Sequence, residues 1–344
     1  MKKKGRGVSC CIYSATVPSA PNPCSANVQM REDGSVVVQT GATDIGQGSD
    51  TALAAITAEE LGVSIDKVTV YSGDTGVTPF DFGTFSSRLT FVGGNAIREA
   101  CKQVKATLLD TASRQLGIPA EKLGIVPGFI QSADNPEVKL PIEAAAALSV
   151  FVFRQLPMGT GYYYPKNTPV DEYCQGDPFA TFSYAGMIAE VEVDTETGVV
   201  DVIKMQAALD CGKAVNPMLV EGQMQGGAVI GMGFALREDG YPYMGNLDGV
   251  HDGFDPSRMP DNLSDYPIAT AMDIPEIETY IVEELDCEGP FGAKSCGEIS
   301  VNPVAPAIIN AIYDAVGVRI YELPATPDRI LKALREKELK GGVI

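Results

Sequence analysis

Between Ser25 and Ala42, in SANVQMREDGSVVVQTGA, apolar and polar residues alternate on both sides of Asp33-Gly34. That period of two around a turn dipeptide predicts a β-hairpin. In DIGQGSDTALAAITAEELGV the period lengthens: glycines open an amphipathic helix and Gly62 closes it. KVTVYSGDT reads as a strand, and GVTPFDFGTFSSRLTFVGG as a loop of Pro, Gly, Ser and Phe. NAIREACKQVKATLLDTASRQLG reads as a helix ending at Gly117. A less regular stretch over residues 155–180 reads as a link between two parts of the chain.

The second half begins again with alternation. MIAEVEVDTETGVVDVIKMQAALDCG predicts two strands around Thr197-Gly198, followed by a glycine-punctuated helix in VEGQMQGGAVIGMGFALRED. The order of the first half recurs: hairpin, glycine turn, then a helix region with a Gly-Gln pair, Gly46-Gln47 first and Gly222-Gln223 second. DIPEIETYIVEE adds a strand, and PAIINAIYDAVG and PDRILKALREKELK close the chain as helices. These elements predict an α+β protein of two related lobes, each a mixed sheet with packed helices. The expected division is 1–155 and 156–344, with Glu298 in the second lobe.

Composition narrows the functional classes. The 344 residues carry 45% apolar and 21% charged side chains, an ordinary globular balance. A net charge of −19 argues against nucleic acid and anionic membrane as partners. The basic start MKKKGR precedes VSCCIYSATVPSA, too short and polar for the core of an export signal. No apolar run reaches the ~18 residues a membrane helix needs; AAAALSVFVF and GGAVIGMGFAL fall short. Eight cysteines form no CxxC pair, and His251, in a polar loop, is the single histidine. Zinc and iron–sulfur sites on this chain are thus unsupported, as are most Ser–His and Cys–His nucleophile schemes. Scattered cysteines in a long acidic chain suit reduced thiols in the cytoplasm.

Three glycine-rich stretches share one property. GATDIGQGSDT, GTFSSRLT and GQMQGGAVIG offer backbone N–H groups at or near helix N-termini, beside Ser and Thr hydroxyls and Arg88. Such groups suit a phosphate or pyrophosphate. None is a P-loop or a dinucleotide fingerprint, and each alone reads equally as a structural turn. All three together, with Gln47 and Gln223, point to a large dinucleotide-like ligand. Glu298 poses a separate question at the end of GPFGAKSCGE, where Lys294 is the only other charge. It is either a capping or ion-paired carboxylate, or a general base whose pKa is raised by its apolar flanks.

Seven collinear blocks resemble one family. They are GRGVSCCIY, DGSVVVQTGATDIGQGSDT, AEELGV with VTVYSGDT, GTFSSRLTFVGGNA, NPMLVEGQMQGGAVIGMGFAL, GPFGAKSCGE and PAIINAIYDAVGVRIYELPATPDRILKAL. Over nearly its whole length the chain resembles the C-terminal half of the molybdenum-binding region of xanthine dehydrogenase-type molybdenum hydroxylases. The resemblance implies a molybdopterin, as the cytosine dinucleotide, whose dithiolene rather than any side chain holds the molybdenum. It places Asp44, Gly46, Gln47, Gly48, Thr84, Phe85, Ser86, Ser87, Arg88 and Gln223 at that cofactor. Glu298 falls on the family's base, which deprotonates the oxygen that attacks an electron-poor carbon while hydride leaves to a sulfido or selenido ligand. Tyr13 falls in a region that faces substrate.

The pattern departs from the family at Ser295 and Cys296, where small apolar residues are usual; Cys296 reads as a small buried thiol. The family's other molybdenum half, with its GGFGGK-type loop, and its FAD and two-iron two-sulfur parts are not in this sequence. The resemblance therefore implies a split subunit, working with a larger molybdopterin-binding subunit, an iron–sulfur subunit and an FAD subunit. Split subunits of this size occur in nicotinate dehydrogenases, so the expected reaction hydroxylates a small N-heteroaromatic substrate with water-derived oxygen, nicotinate to 6-hydroxynicotinate. The alternatives are purine hydroxylation by a xanthine dehydrogenase-like complex and a non-catalytic molybdopterin carrier, which would have no need of Glu298.

Overall fold

The computed structural model describes residues 1–16, 22–238 and 266–341. Its first lobe is built outward from the hairpin of β2 (Cys24–Met30) and β3 (Val36–Thr40). Alternation buries Ala26, Val28, Met30, Val36 and Val38 on one face. α1 (Ser49–Leu61) crosses over to β4 (Val68–Ser72), which pairs parallel with β3. α2 (Leu89–Leu116) then returns across the sheet and packs on β8 (Met158–Tyr163), itself antiparallel to β2. The sheet order is β4-β3-β2-β8. Between α2 and β8 lie a small sheet of β5 (Leu123–Val126), β6 (Phe129–Ser132) and β7 (Lys139–Pro141), and α3 (Ile142–Phe151).

The second lobe repeats this plan. β9 (Thr181–Asp194) and β10 (Val200–Asp210) form its hairpin, and α4 (Pro217–Leu236) occupies the place of α1. β11 (Glu276–Val282) pairs parallel with β10. α5 (Val304–Val316) returns over β1 (Lys2–Ala15), which is antiparallel to β9, giving the order β11-β10-β9-β1. α6 (Pro327–Leu339) adds Ile330 and Leu334 to the core. Each lobe has its own apolar core, one around Val28, Phe91, Ile97 and Leu108, the other around Met187, Val191, Met224 and Ile308.

The same device seats the return helix in both lobes. A Cβ on Gly161 would stand 1.8 Å from the carbonyl oxygen of Ala96, and one on Gly7 2.1 Å from that of Ala307. Gly159 and Gly5 are equally tight, at 2.2 Å from Ala100 and Ala311. Gly-x-Gly on the outermost strand meets alanines one helical turn apart, so backbone rests on backbone.

Three expectations need revision. The division 1–155 and 156–344 does not follow the sheets, since β1 belongs to the second and β8 to the first. β1 pairs with residues far along the chain, which local alternation does not reveal. The long helix opens at Leu89 rather than Asn95. Gly93 and Gly94 lie inside it because the helix passes close to Pro290, whose Cγ would be 2.7 Å from a Cβ on Gly94. Glu298–Val316, counted with the short turn before α5, is long and apolar enough to span a membrane; it lies more than half buried against the second sheet. His251 lies outside the described residues.

Candidate functional site

The two lobes meet at a cavity of about 410 Å³. The first contributes Gln47 and Gly48 from the turn before α1 and residues 84–88 from the loop before α2. The second contributes Asn216, Gln223 and Gly226 from the start of α4 and residues 293–298 from the loop before α5. That last loop is fastened to the ends of β9 and β10. Lys294 Nζ donates to Asp210 Oδ2 at 2.7 Å, both side chains being buried, and the Lys294 N–H donates to the Cys211 carbonyl at 2.8 Å. Ser183 Oγ donates to the Ser295 carbonyl at 2.9 Å. Gly227 lets α4 press on the turn at Ser300, whose Oγ would be 2.1 Å from an added Cβ.

Glu298 emerges from this fastened loop with an exposed side chain. The burial suggested by its apolar flanks belongs instead to Ile299 and Ser300. Its Oε2 accepts from Tyr13 Oη at 2.5 Å and from Ser87 Oγ at 2.8 Å, and its own N–H donates to Ser87 Oγ at 2.9 Å. Burial, then the adjoining Glu298 carboxylate, pushes the Tyr13 phenol up to about 12. Tyr13 therefore holds its proton at neutral pH and acts as a donor. Burial likewise raises Cys296 to about 11 and Cys211 to about 12, so both thiols near the cavity stay protonated and unreactive.

Several of the residues expected at the ligand are engaged within the protein. Asp44 accepts at Oδ1 from the N–H groups of Gly46 (2.7 Å) and Gly48 (3.3 Å), and at Oδ2 from that of Asp50 (3.1 Å). It neutralises the turn before α1 from within. Burial acts to raise its carboxyl, but these N–H bonds prevail and hold it below the usual range. Gln47 is also engaged locally, accepting from the Ile45 N–H (2.7 Å) and donating to Ser49 Oγ (2.9 Å). The fully buried Arg88 turns its guanidinium into the first lobe. It meets both Asp81 oxygens at 2.9 and 3.1 Å and the carbonyls of Gly83, Pro23 and Asn22 at 2.8, 2.7 and 3.3 Å. Phe85 stacks over it. Asp44 and Arg88 hold loops; they do not offer free charge to a ligand.

The donors left over lie in the loop before α2. Ser86 and Ser87 take left-handed conformations with φ of 50° and 49°. The N–H groups of Phe85, Ser86 and Ser87 have no partner among the described residues, nor does the side-chain amide of Gln223. Thr84 and Ser86 hydroxyls donate to the carbonyls of Thr43 (2.7 Å) and Thr16 (3.1 Å), which ties this loop to its neighbours. Gly226 has no atom within 4 Å of where a Cβ would be, so the α4 wall is bare backbone at that position. Gly46 is equally open, with φ 111°. A cradle of unpaired donors against a bare wall fits an extended, electron-rich ligand such as a phosphorylated pterin. Sequence reasoning missed Lys213, Asn216, Leu219 and Lys294 in the cavity wall. The one signal was Lys294, the lone cation in an otherwise uncharged run before Glu298.

Residues 1–275 match the family described as molybdopterin cofactor-binding domain. The chain is 34% identical to the xanthine dehydrogenase molybdenum-binding subunit of Escherichia coli O157:H7, over 95% of this chain and 42% of that protein. It is 29% identical to the nicotine 6-hydroxylase large subunit of Paenarthrobacter nicotinovorans, over 90% of this chain and 37% of the relative. Its fold superposes on quinoline 2-oxidoreductase from Pseudomonas putida 86 with a TM-score of 0.85 and 27% identity, covering 97% of this chain and 42% of that one. The chain thus spans less than half the length of these relatives. The family match, the superposable fold and the donor-lined cavity agree: this chain belongs to the molybdopterin cofactor-binding domain family.

Proposed function

We propose that this chain is the part of a molybdenum hydroxylase that closes one side of the molybdopterin site and supplies its general base. The observation that carries the reading is the Glu298 carboxylate, standing in the cavity wall on a fastened loop with Oε1 unpartnered among the described residues. The N–H groups of residues 85–87, the Gln223 amide and the bare wall at Gly226 would hold the cofactor, in its cytosine dinucleotide form. When bound, molybdopterin supplies the metal centre at which oxygen and hydride transfer occur. Glu298 takes the proton from the attacking oxygen, and the apolar cavity walls limit competing water.

The substrate class is an N-heteroaromatic ring, with nicotinate to 6-hydroxynicotinate as the reaction. Two relatives bear the names of nitrogen heteroaromatics, nicotine and quinoline, and this favours an electron-poor ring carbon as the target. Purine hydroxylation is the second reading, favoured by the 34% identity to a xanthine dehydrogenase subunit. The remainder of the molybdenum-binding region, with its GGFGGK-type loop, would close the other side of the cavity; iron–sulfur and FAD subunits would carry electrons away.

The test is Glu298→Gln in the assembled, metal-replete enzyme, assayed on nicotinate and on xanthine. Turnover should fall by at least ~10²-fold, the scale of a lost general base, with molybdenum content unchanged. Near wild-type turnover would remove Glu298 from the chemistry and favour a carrier role. Activity on xanthine alone would select the purine reading.

A further inference from the structure

The Glu298 carboxylate is gripped on one side only. Oε2 receives two hydroxyl donors, Tyr13 Oη from β1 of the second lobe and Ser87 Oγ from the loop before α2 of the first. Oε1 receives none among the described residues. Ser87 also accepts from the Glu298 N–H, so it fixes both the backbone and the side chain of that residue. Its own backbone is held at φ 49°, a conformation unusual for a residue with a side chain and therefore imposed by its surroundings. Arg88, next in sequence, is locked to Asp81. We propose that Tyr13 and Ser87 are positioning residues that clamp one carboxylate oxygen of Glu298 from both lobes, leaving the other oxygen free and aimed as the base. This rests on the reading of Glu298 as the base.

The surrounding charges leave the clamp to act alone. On the loop of Glu298, Lys294 is paired with Asp210 and Cys296 is protonated. On β1, Cys11 directs its thiol at the Ile299 carbonyl (3.9 Å). In the cavity wall Lys213 is paired with Glu283 at 3.1 Å, and Arg88 faces away towards Asp81. Two neutral donors on one oxygen restrict rotation about the terminal carboxylate torsion, which is otherwise soft. The oxygen that is not held, Oε1, is left to accept a proton. Tyr13 suits the task because a phenol pushed up to about 12 never competes for that proton at working pH.

The experiment uses the assembled holoenzyme with Tyr13→Phe and Ser87→Gly; glycine removes the hydroxyl and accepts the left-handed backbone without strain. Molybdenum content should be unchanged and KM should stay within about twofold. The turnover number should fall by roughly 10-fold, because a misaimed base loses part of its 10²–10⁴-fold contribution. A second readout needs no turnover: with tyrosine labelled at ring Cζ, the Tyr13 signal, identified by its loss in Tyr13→Phe, should move towards that of a solvated phenol in Glu298→Gln. Unchanged turnover in both variants would overturn the clamp. A rise in KM alone for Tyr13→Phe would also overturn it, assigning the ring to substrate. If Glu298→Gln itself retains turnover, the base reading falls first; if Glu298→Gln is inactive while both clamp variants are normal, only the clamp fails.

Discussion

The two lobes share a plan and divide the chemistry. In each, a hairpin leads through a short turn to a crossover helix, then to a parallel strand, a long loop and a return helix seated on Gly-x-Gly. The two loops that furnish the cavity, 84–88 and 293–298, therefore occupy the same place in each repeat, between parallel strand and return helix. Each is pinned by a buried ion pair, Arg88 with Asp81 in the first lobe and Lys294 with Asp210 in the second. What they present is opposite: the first offers unpaired N–H donors, the second a carboxylate. A duplicated frame thus places unpaired N–H donors and a carboxylate on the walls of one cavity, and each wall can vary without rebuilding the other.

If the frame is truly equivalent, the same substitution should break either lobe. Gly161→Ala and Gly7→Ala each drive a Cβ to within about 2 Å of a carbonyl oxygen on the return helix, at 1.8 and 2.1 Å. Backbone must separate from backbone, so each should destabilise by ~3 kcal/mol or more, the upper end for overpacking. Gly186→Ala, on β9 with nothing nearer than the Ser9 carbonyl at 3.7 Å, is the control and should be neutral or slightly stabilising. Denaturant midpoints of the three variants decide the matter. Similar losses at Gly161 and Gly7 support the repeat; a loss at one alone would break it.

Effects of similar size should expose the difference between the two ion pairs. The Arg88 fork satisfies Asp81 and three carbonyls, whereas Lys294 satisfies Asp210 alone. Asp210 also keeps N–H donors from Gly212 (3.0 Å) and Glu284 (3.3 Å) when the ammonium is removed. Arg88→Met should therefore cost about 4 kcal/mol and Lys294→Met about 2 kcal/mol. Arg88→Lys restores the charge and not the fork, so it should recover less than half of the loss. Unfolding titrations measure all three; equal losses at Arg88 and Lys294 would remove the distinction.

How far these features can be read from sequence follows from their range. Both hairpins, the Gly62 and Gly117 helix ends and the recurring element order are local, set by alternation and glycine placement, and they appear where the pattern puts them. Glu298 was legible because a lone carboxylate after an apolar glycine loop is chemically conspicuous. What stayed hidden was long-range. Nothing near Lys2–Ala15 announces pairing with β9. Gly93-Gly94 reads as a break until Pro290 is seen against it. Arg88 reads as a free cation until its burial with Asp81 is known. Asp44 is the exception, for glycines two and four residues after an Asp, just before a helix, are a local capping signal that a ligand reading overlooks.

The smallest expected effect separates the turns that open the two crossover helices. The turn before α1 is capped by a carboxylate, Asp44, while the turn before α4 is capped by a neutral amide, Asn216, whose Oδ1 accepts from the Leu219 N–H at 3.2 Å. Asn216→Ala should cost ~1 kcal/mol at every pH, as a lost N-cap does. The contribution of Asp44 should depend on pH. Its folded-state carboxyl lies below the ordinary aspartate value of 3.8, so its stabilisation is complete above that value and is lost as pH falls through the lower folded value. Asp50 works in the opposite sense, since burial and the charge of Asp44 raise its carboxyl. The comparison therefore belongs in an Asp50→Asn background, where that coupling is absent. There, Asp44→Asn should be less stable than its parent by a constant amount above about pH 5, and the gap should close as pH falls below 4 towards 2. Equilibrium unfolding across that range measures the gap directly. If the two stability curves stayed parallel down to pH 2, the Asp44 carboxylate would not be the charge that caps the first turn, and the contrast between the two turns would rest on Asn216 alone.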